Sequence, residues 1–162
     1  MTADYAPFTR LCGAKSAAFR SESLHKQVCL LAIGFGPEIA LDELMTPDEL
    51  KHRTKTFAIE VIKLAKSLPS DYLTAHIARQ MVRSGTSVGA NYRSSCRAKS
   101  EADFIAKMSI VEEEADETGY WLELLVETNR VTPKAVAATL SEADQLVRIA
   151  VASIKTARGR SR

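Results

Sequence analysis

A chain of 162 residues is long enough to close one hydrophobic core, and its 46% hydrophobic and 26% charged content is that of a globular domain rather than a disordered or fibrous one. A formal net charge of +2 is too small to imply nucleic-acid binding by itself. The distribution of charge carries more than its sum.

Residues 1–44 hold scattered glycine and proline (Gly13, Gly34, Gly36, Pro37), no sustained hydrophobic period, and one apolar patch from Val28 to Phe35. They read as a weakly ordered or partly helical N-terminal extension. The patch is too short to cross a bilayer and lies too deep, without a clean small-residue cleavage site, for a signal peptide. Met45 is followed at once by a strong helix start, so it is also a candidate first residue of a complete domain. Cys12, Cys29 and Cys96 are odd in number and share no C-x-x-C spacing, which predicts reduced thiols and a cytoplasmic protein.

From Thr46 the pattern is helical. Thr46-Pro47-Asp48-Glu49 supplies an N-cap, a proline at the first helical position and a capping-box glutamate. Leu50, Phe57, Val61, Leu64 and Leu68 then share one face until Pro69 ends the helix. Ser70 is the expected cap of a second helix, with Leu73, Ile77, Met81, Val88 and Tyr92 as its core face. Ser100 and Asp103 restart the chain as a third helix, and Thr132-Pro133 opens a fourth. That last helix carries the stripe Val136, Leu140, Ala143, Val147, Ala150 and Ile154. No segment alternates like a strand. The expected fold is all-α, an antiparallel up-down-up-down four-helix bundle over 45–158, ending in a basic tail at 159–162.

The second helix carries Arg79, Arg83, Arg93 and Arg97 within roughly 80° of one another at ~100° per residue, and no acid lies between Tyr72 and Ser100. The third segment, 101–128, has nine acids and one lysine. Its Glu112, Asp116, Glu123 and Glu127 fall within roughly 60°. Four cations on one rigid helix can each neutralise a phosphate, giving affinity without base reading. The competing and favoured reading pairs most of these arginines with the acidic stripe, within a subunit or across an interface. The third helix is also apolar on two sides. Phe104, Met108, Val111, Ala115 and Leu122 form one stripe, and Ile110, Trp121 and Leu124 another flank. Burying both implies self-association, with Ile110, Trp121, Leu124, Glu112 and Asp116 as candidate interface residues; cover from residues 1–44 is the alternative. The tail adds Lys155, Arg158, Arg160 and Arg162 with no acid, and several tails in one assembly would turn weak phosphate contacts into binding.

Other chemistries find little to stand on. The small residues Ser84, Gly85, Thr86, Ser87, Gly89 and Ala90 suit a close helix contact, and no Gly-Lys-Ser/Thr follows to make a phosphate loop. Asn91, between the core and basic faces, suits a register-fixing polar contact. The acids at 112–117 lack the histidines that a di-iron bundle needs, since none follows His76, and Cys96 has no histidine near it in sequence. No cofactor, metal or catalytic group is expected.

The stretches R-T-K-T-F-A (53–58), Q-M-V-R-S-G-T-S-V-G-A-N-Y-R (80–93), C-R-A-K-S (96–100), D-F-I-A-K-M (103–108) and E-A-D-E-T-G-Y-W-L-E-L-L (114–125) resemble the 23S rRNA intervening-sequence protein family. The likeness runs in order from about Lys51 to Glu127, with the fourth helix consistent in pattern only. It implies a bacterial four-helix bundle that assembles as a homopentamer. The chain is more distantly similar to the accessory variability proteins of diversity-generating retroelements, pentameric basic bundles that bind a reverse transcriptase and nucleic acid. Ser94 stands where the family usually has a glutamate after Asn-Tyr/Ile-x, so no role of that carboxylate carries over. Together these readings predict a non-enzymatic homo-oligomer binding structured RNA or a nucleic-acid enzyme. The alternative is a protein-interaction scaffold whose charge stripes serve self-assembly alone.

Overall fold

The computed structural model describes residues 45–160, which form four helices. The expected N-terminal extension with its apolar patch, Cys12 and Cys29, Arg162 and the side chain of Arg160 lie outside the described residues.

Helix α1, Pro47–Ser67, starts with the full capping box. The Glu49 amide donates to Thr46 Oγ1 at 3.2 Å, and the Thr46 amide donates to the Glu49 carboxylate at 2.5 Å. It ends at Leu68, held extended (φ −75°, ψ 155°) by the proline that follows. Helix α2, Tyr72–Ser95, is capped by Asp71 rather than by the expected Ser70. The carboxylate does what a hydroxyl one residue earlier cannot. It accepts the Thr74 amide at 3.2 Å and the Thr74 hydroxyl at 2.6 Å, and it takes Arg130 Nη1 at 3.1 Å from the far end of the third helix.

Helix α3, Glu101–Glu127, is capped by Ser100, which accepts the Asp103 amide at 3.1 Å. The reciprocal half of the box is missing, because the Asp103 carboxylate takes the Lys99 amide instead. Asn129 closes α3 with φ 56°. Asparagine tolerates that left-handed conformation, and the amides of Asn129 and Arg130 return to the carbonyls of Val126 and Leu125 in a Schellman closure. Helix α4, Pro133–Arg160, opens on its proline.

The helices pack in sequence order, α1 on α2, α2 on α3 and α3 on α4, and a thinner α1–α4 seam completes a square with no close backbone approach across the diagonals. This is the four-helix bundle read from the sequence. Its centre is Phe57, Val61, Met81, Val88, Tyr92, Phe104, Met108 and Leu122, all fully or nearly fully buried. Small residues set the spacing of α2. A methyl added at Gly85 would lie 2.9 Å from Val61 Cγ1 on α1, and Gly89 faces the Thr54 carbonyl. On the α3 side Thr118 Oγ1 donates to Ser84 Oγ at 2.9 Å. The small cluster is therefore a helix contact.

Two core assignments shift. Leu73 is 58% exposed, and its place is taken by Thr74, whose hydroxyl is satisfied by Asp71. In α4 Leu140 and Val147 are only half-buried, while Leu146, Ile149, Ser153 and Ala157 are buried. The buried side of α4 is rotated from the expected stripe because the helix faces both α3 and α1. Ser153 returns its hydroxyl to the Ile149 carbonyl at 2.7 Å. None of the described helices is long and apolar enough to cross a membrane.

Candidate nucleic-acid interface

The four arginines of α2 do not act as one stripe. Arg83 turns to α3. Its Nη2 donates to Glu117 Oε1 at 2.5 Å, its Nη1 lies 3.6 Å from Glu114 Oε1, and its Nε donates to Gln80. Glu117 also accepts Trp121 Nε1 at 2.9 Å. Burial alone would raise the Glu117 carboxyl, but the hydrogen bonds from Arg83 and Trp121 prevail and hold it below the ordinary glutamate range. Glu114 goes the other way. Burial pushes its carboxyl up, Arg83 opposes this, and the neighbouring Glu117 and Glu113 add to the rise.

Arg79 lines a groove between α1 and α2. Arg93 and Arg97 are exposed, near the end of α2 and just past it. None of these three makes an ion pair among the described residues. The expectation that most of the arginines pair with the acidic stripe thus fails within the subunit, and Arg83 chooses acids outside that stripe. Glu112, Asp116, Glu123 and Glu127 lie on the other side of α3, and Asp116 and Glu123 line a cleft against α4. Helix periodicity had grouped these acids correctly but could not say which neighbour they face.

The up-down order brings the start of α1, the end of α2, the start of α3 and the end of α4 to one pole. Lys51, Arg93, Arg97, Lys155 and Arg158 lie toward that pole. Lys51 is tied to Asp48 at 2.8 Å. That hydrogen bond raises its pKa, with burial and the nearby Arg93 opposing. Lys155 and Arg158 are exposed. Three carboxylates of this pole are already engaged. Asp48 holds Lys51, Glu49 caps α1, and Asp103 takes Lys107 and the Lys99 amide. Cys96 is half-buried in the same region, and burial pushes its thiol up despite Lys51 and Arg97, which keeps it a packing residue rather than a thiolate. Asn91 donates to the Ser87 carbonyl of its own helix at 2.9 Å, so its amide is spent locally rather than on another helix.

The candidate interface residues of α3 divide between two sides. Trp121 and Leu124 are half-buried against the core, and Ile110 is 39% exposed. These three fall on the side of Glu117 that meets α2, roughly 80–140° around the helix from Asp116. Glu112 and Asp116 belong to the α4 side.

The sequence reading missed the clasp across the α1–α4 seam. Arg53 donates through Nε and Nη2 to both oxygens of Glu142 at 2.6 and 2.9 Å, and through Nη2 to Gln145 at 2.7 Å. Its partners are about ninety residues away, beyond any local pattern. Among the described residues no group of three or more His, Cys, Asp or Glu side chains could hold a metal ion.

The family model described as 23S rRNA-intervening sequence protein matches residues 49–152. That span reaches well into α4, where sequence likeness had offered only a helical pattern. The chain is also similar to a protein of unknown function from the S23 ribosomal protein family of Bacteroides thetaiotaomicron, whose crystal structure superposes with a TM-score of 0.63. The two are 35% identical over 67% of this chain and 97% of that one. No curated protein matches the chain.

Proposed function

The chain belongs to the 23S rRNA-intervening sequence protein family, and we propose that it works in the cytoplasm as a non-enzymatic homo-oligomer that binds structured RNA through its basic pole. The family resemblance supports a pentamer as the form of that oligomer. The observation that carries the RNA reading is the placing at one end of Arg97, just past α2, with Lys155 and Arg158 of α4, where the neighbouring Asp48, Glu49 and Asp103 are already engaged. Cations that make no ion pair among the described residues can exchange their counterions for phosphates. Contacts made by exposed cationic side chains are ones of position and charge rather than sequence. A single pole is a weak binder. Several poles in one assembly, each extended by the tail, raise the effective concentration of the later contacts once the first has formed.

The full-length protein titrated with a folded RNA hairpin tests this. Affinity falls steeply as salt rises, and replacing Arg97, Lys155 and Arg158 with glutamine lowers both the affinity and the slope of its logarithm against log salt, by about one unit per lost phosphate contact. Absence of binding at low salt, or an unchanged slope in the triple variant, refutes the basic-pole mechanism. Light scattering of the RNA-free protein tests the assembly separately, with a mass of about five chains expected from the resemblance.

A further inference from the structure

In a square bundle the α1/α2 and α3/α4 faces lie on opposite sides, and each carries a groove. The α1/α2 groove, about 360 Å3, has a floor of Ile62, Ala65, Ala78 and Val82, with Lys66 and Arg79 as its charged lining. Arg93 falls about 40° from Arg79 on α2, and Lys55 about 20° from Ile62 on α1, so the cationic character continues along the face. The α3/α4 groove, about 720 Å3, has Leu140 and Val147 in its floor and the 54% exposed Tyr120 beside them. Its acids are Asp116, Glu123 and Asp144. Glu112 and Glu127 lie within about 40° of Asp116 and extend the acidic strip. Asp144 alone has a partner, the exposed Arg148 one turn on. Among the described residues Lys66, Arg79 and Arg93 on one face, and Glu112, Asp116, Glu123 and Glu127 on the other, make no ion pair within the chain.

We infer that the occupant of the α3/α4 groove is a second copy of this chain, docked front to back by its α1/α2 face. Two opposed grooves, each with an apolar floor and with the unpaired charges of its lining of one sign (Asp116 and Glu123 in one, Lys66 and Arg79 in the other), match one another and mismatch themselves. Like charges facing across a two-fold axis repel, so either face is a poor partner for its own copy and a good one for the other. A contact between different patches is heterologous. Repeated from copy to copy it generates a ring when the rotation closes. The inference rests on the self-association part of the proposed function and assigns it to particular residues. It also accounts for the arginines left without partners on α2. Arg79 and Arg93 answer the acidic stripe of α3, but the stripe of a neighbouring copy.

Charge reversal tests the assignment with the full chain. One variant carries Asp116→Lys and Glu123→Lys, a second carries Lys66→Glu and Arg79→Glu, and a third carries all four. Mass is read by light scattering and helical content by circular dichroism. Each two-site variant falls toward the 17.8 kDa of a single chain while keeping its helices. The four-site variant regains the wild-type mass, because its faces are complementary again with signs exchanged. It also stays separate from wild-type chains on mixing, since every mixed contact brings like charges together. If the two-site variants keep the wild-type mass, or the folded four-site variant stays dissociated, the face assignment is overturned although the homo-oligomer stands. A wild-type protein that is itself a monomer overturns both.

Discussion

Replacing Gly85 with alanine asks whether α2 is held by its closest contact. In an open stretch of helix the change stabilises by about 1 kcal/mol, because glycine is the poorer helix former. At Gly85 the new methyl would stand 2.9, 3.0 and 3.2 Å from Cγ1, Cγ2 and Cβ of Val61. Rotating Val61 brings no relief, since its Cβ is itself among the close atoms and the β-branched side chain is fully buried. Helix α1 must move outward instead. Overpacking of this kind costs ~1–3 kcal/mol, which exceeds the helical gain and leaves a net loss of ~1 kcal/mol. Val61→Ala alone removes two buried methyl groups at ~0.8 kcal/mol each plus a cavity term, or ~2 kcal/mol in all. Combined with Gly85→Ala, the new methyl meets only the remaining Cβ and part of the cavity is filled. The pair should therefore be more stable than the sum of its single effects by ~1 kcal/mol or more. Urea unfolding followed by far-UV circular dichroism, at one fixed protein concentration because association shifts apparent stability, measures all four corners of the cycle. A Gly85→Ala protein more stable than wild type, or an additive cycle, refutes the close-contact account.

Other perturbations separate the remaining interactions. Arg53→Ala removes a bidentate, half-buried pairing and should lower the urea-unfolding free energy by ~1–2 kcal/mol, at the low end for charged hydrogen bonds because both side chains keep some solvent; an Arg53→Lys protein should recover only part of this, lacking the fork. Glu117→Gln and Glu114→Gln should differ in sign at neutral pH. The first loses the Arg83 and Trp121 contacts and destabilises, and the second removes a carboxylate that burial disfavours and is neutral or stabilising, with the emission of the single tryptophan shifting only in the first. The acid limb follows the same signs. The contribution of Glu117, whose folded pKa is lowered, is complete above the ordinary glutamate range and is lost as pH falls through the lowered value, whereas the penalty at Glu114, whose folded pKa is raised, is relieved over a higher pH window. Stability-against-pH curves of the two variants should therefore diverge from wild type at different ends of that range. Asp71→Ala should destabilise more than Ser70→Ala in thermal melts, because Asp71 caps α2 and also holds Arg130.

Local rules carried most of the fold. The Thr46 capping box, the stop at Pro69, the Ser100 cap and the Pro133 start place three helix beginnings and one end from neighbours in sequence, and each is found where those rules put it. They failed at the start of α2, where a serine and an aspartate stand side by side and it is the aspartate that takes both the amide and the hydroxyl of Thr74. Leu73 was misplaced for a related reason. A periodic stripe run backwards from Ile77 allows either residue 73 or 74, and a capped threonine hydroxyl can be buried where a hydrophobic scale would put leucine. The candidate site was less legible. Angles around one helix showed that the arginines form a group and that the acids form another. They could not show that α3 turns Glu114 and Glu117, rather than Asp116 and Glu123, toward α2. Nothing local points to Arg53 and Glu142 at all.

Under the proposed function, the division of labour along α2 would link assembly to RNA binding. Arg83 is consumed inside the subunit, Arg79 and Arg93 border a face whose complement is on the opposite side of the molecule, and Arg97 belongs to the pole with Lys155 and Arg158. If the acids of the α3/α4 face are answered by a neighbour, they no longer offset the cations at the pole. The small net charge of one chain then hides a strongly polarised assembly. The direction of the contact matters as much as its strength. Copies related by rotation about one axis carry all their basic poles on one rim, whereas a two-fold contact between identical faces can set poles at opposite ends. Only the first arrangement gives an RNA helix a continuous row of cations to follow. A front-to-back contact is therefore the form of self-association under which this pole becomes multivalent, and the four-site charge exchange should restore steep, salt-sensitive RNA binding together with the mass, while each two-site variant binds RNA only weakly.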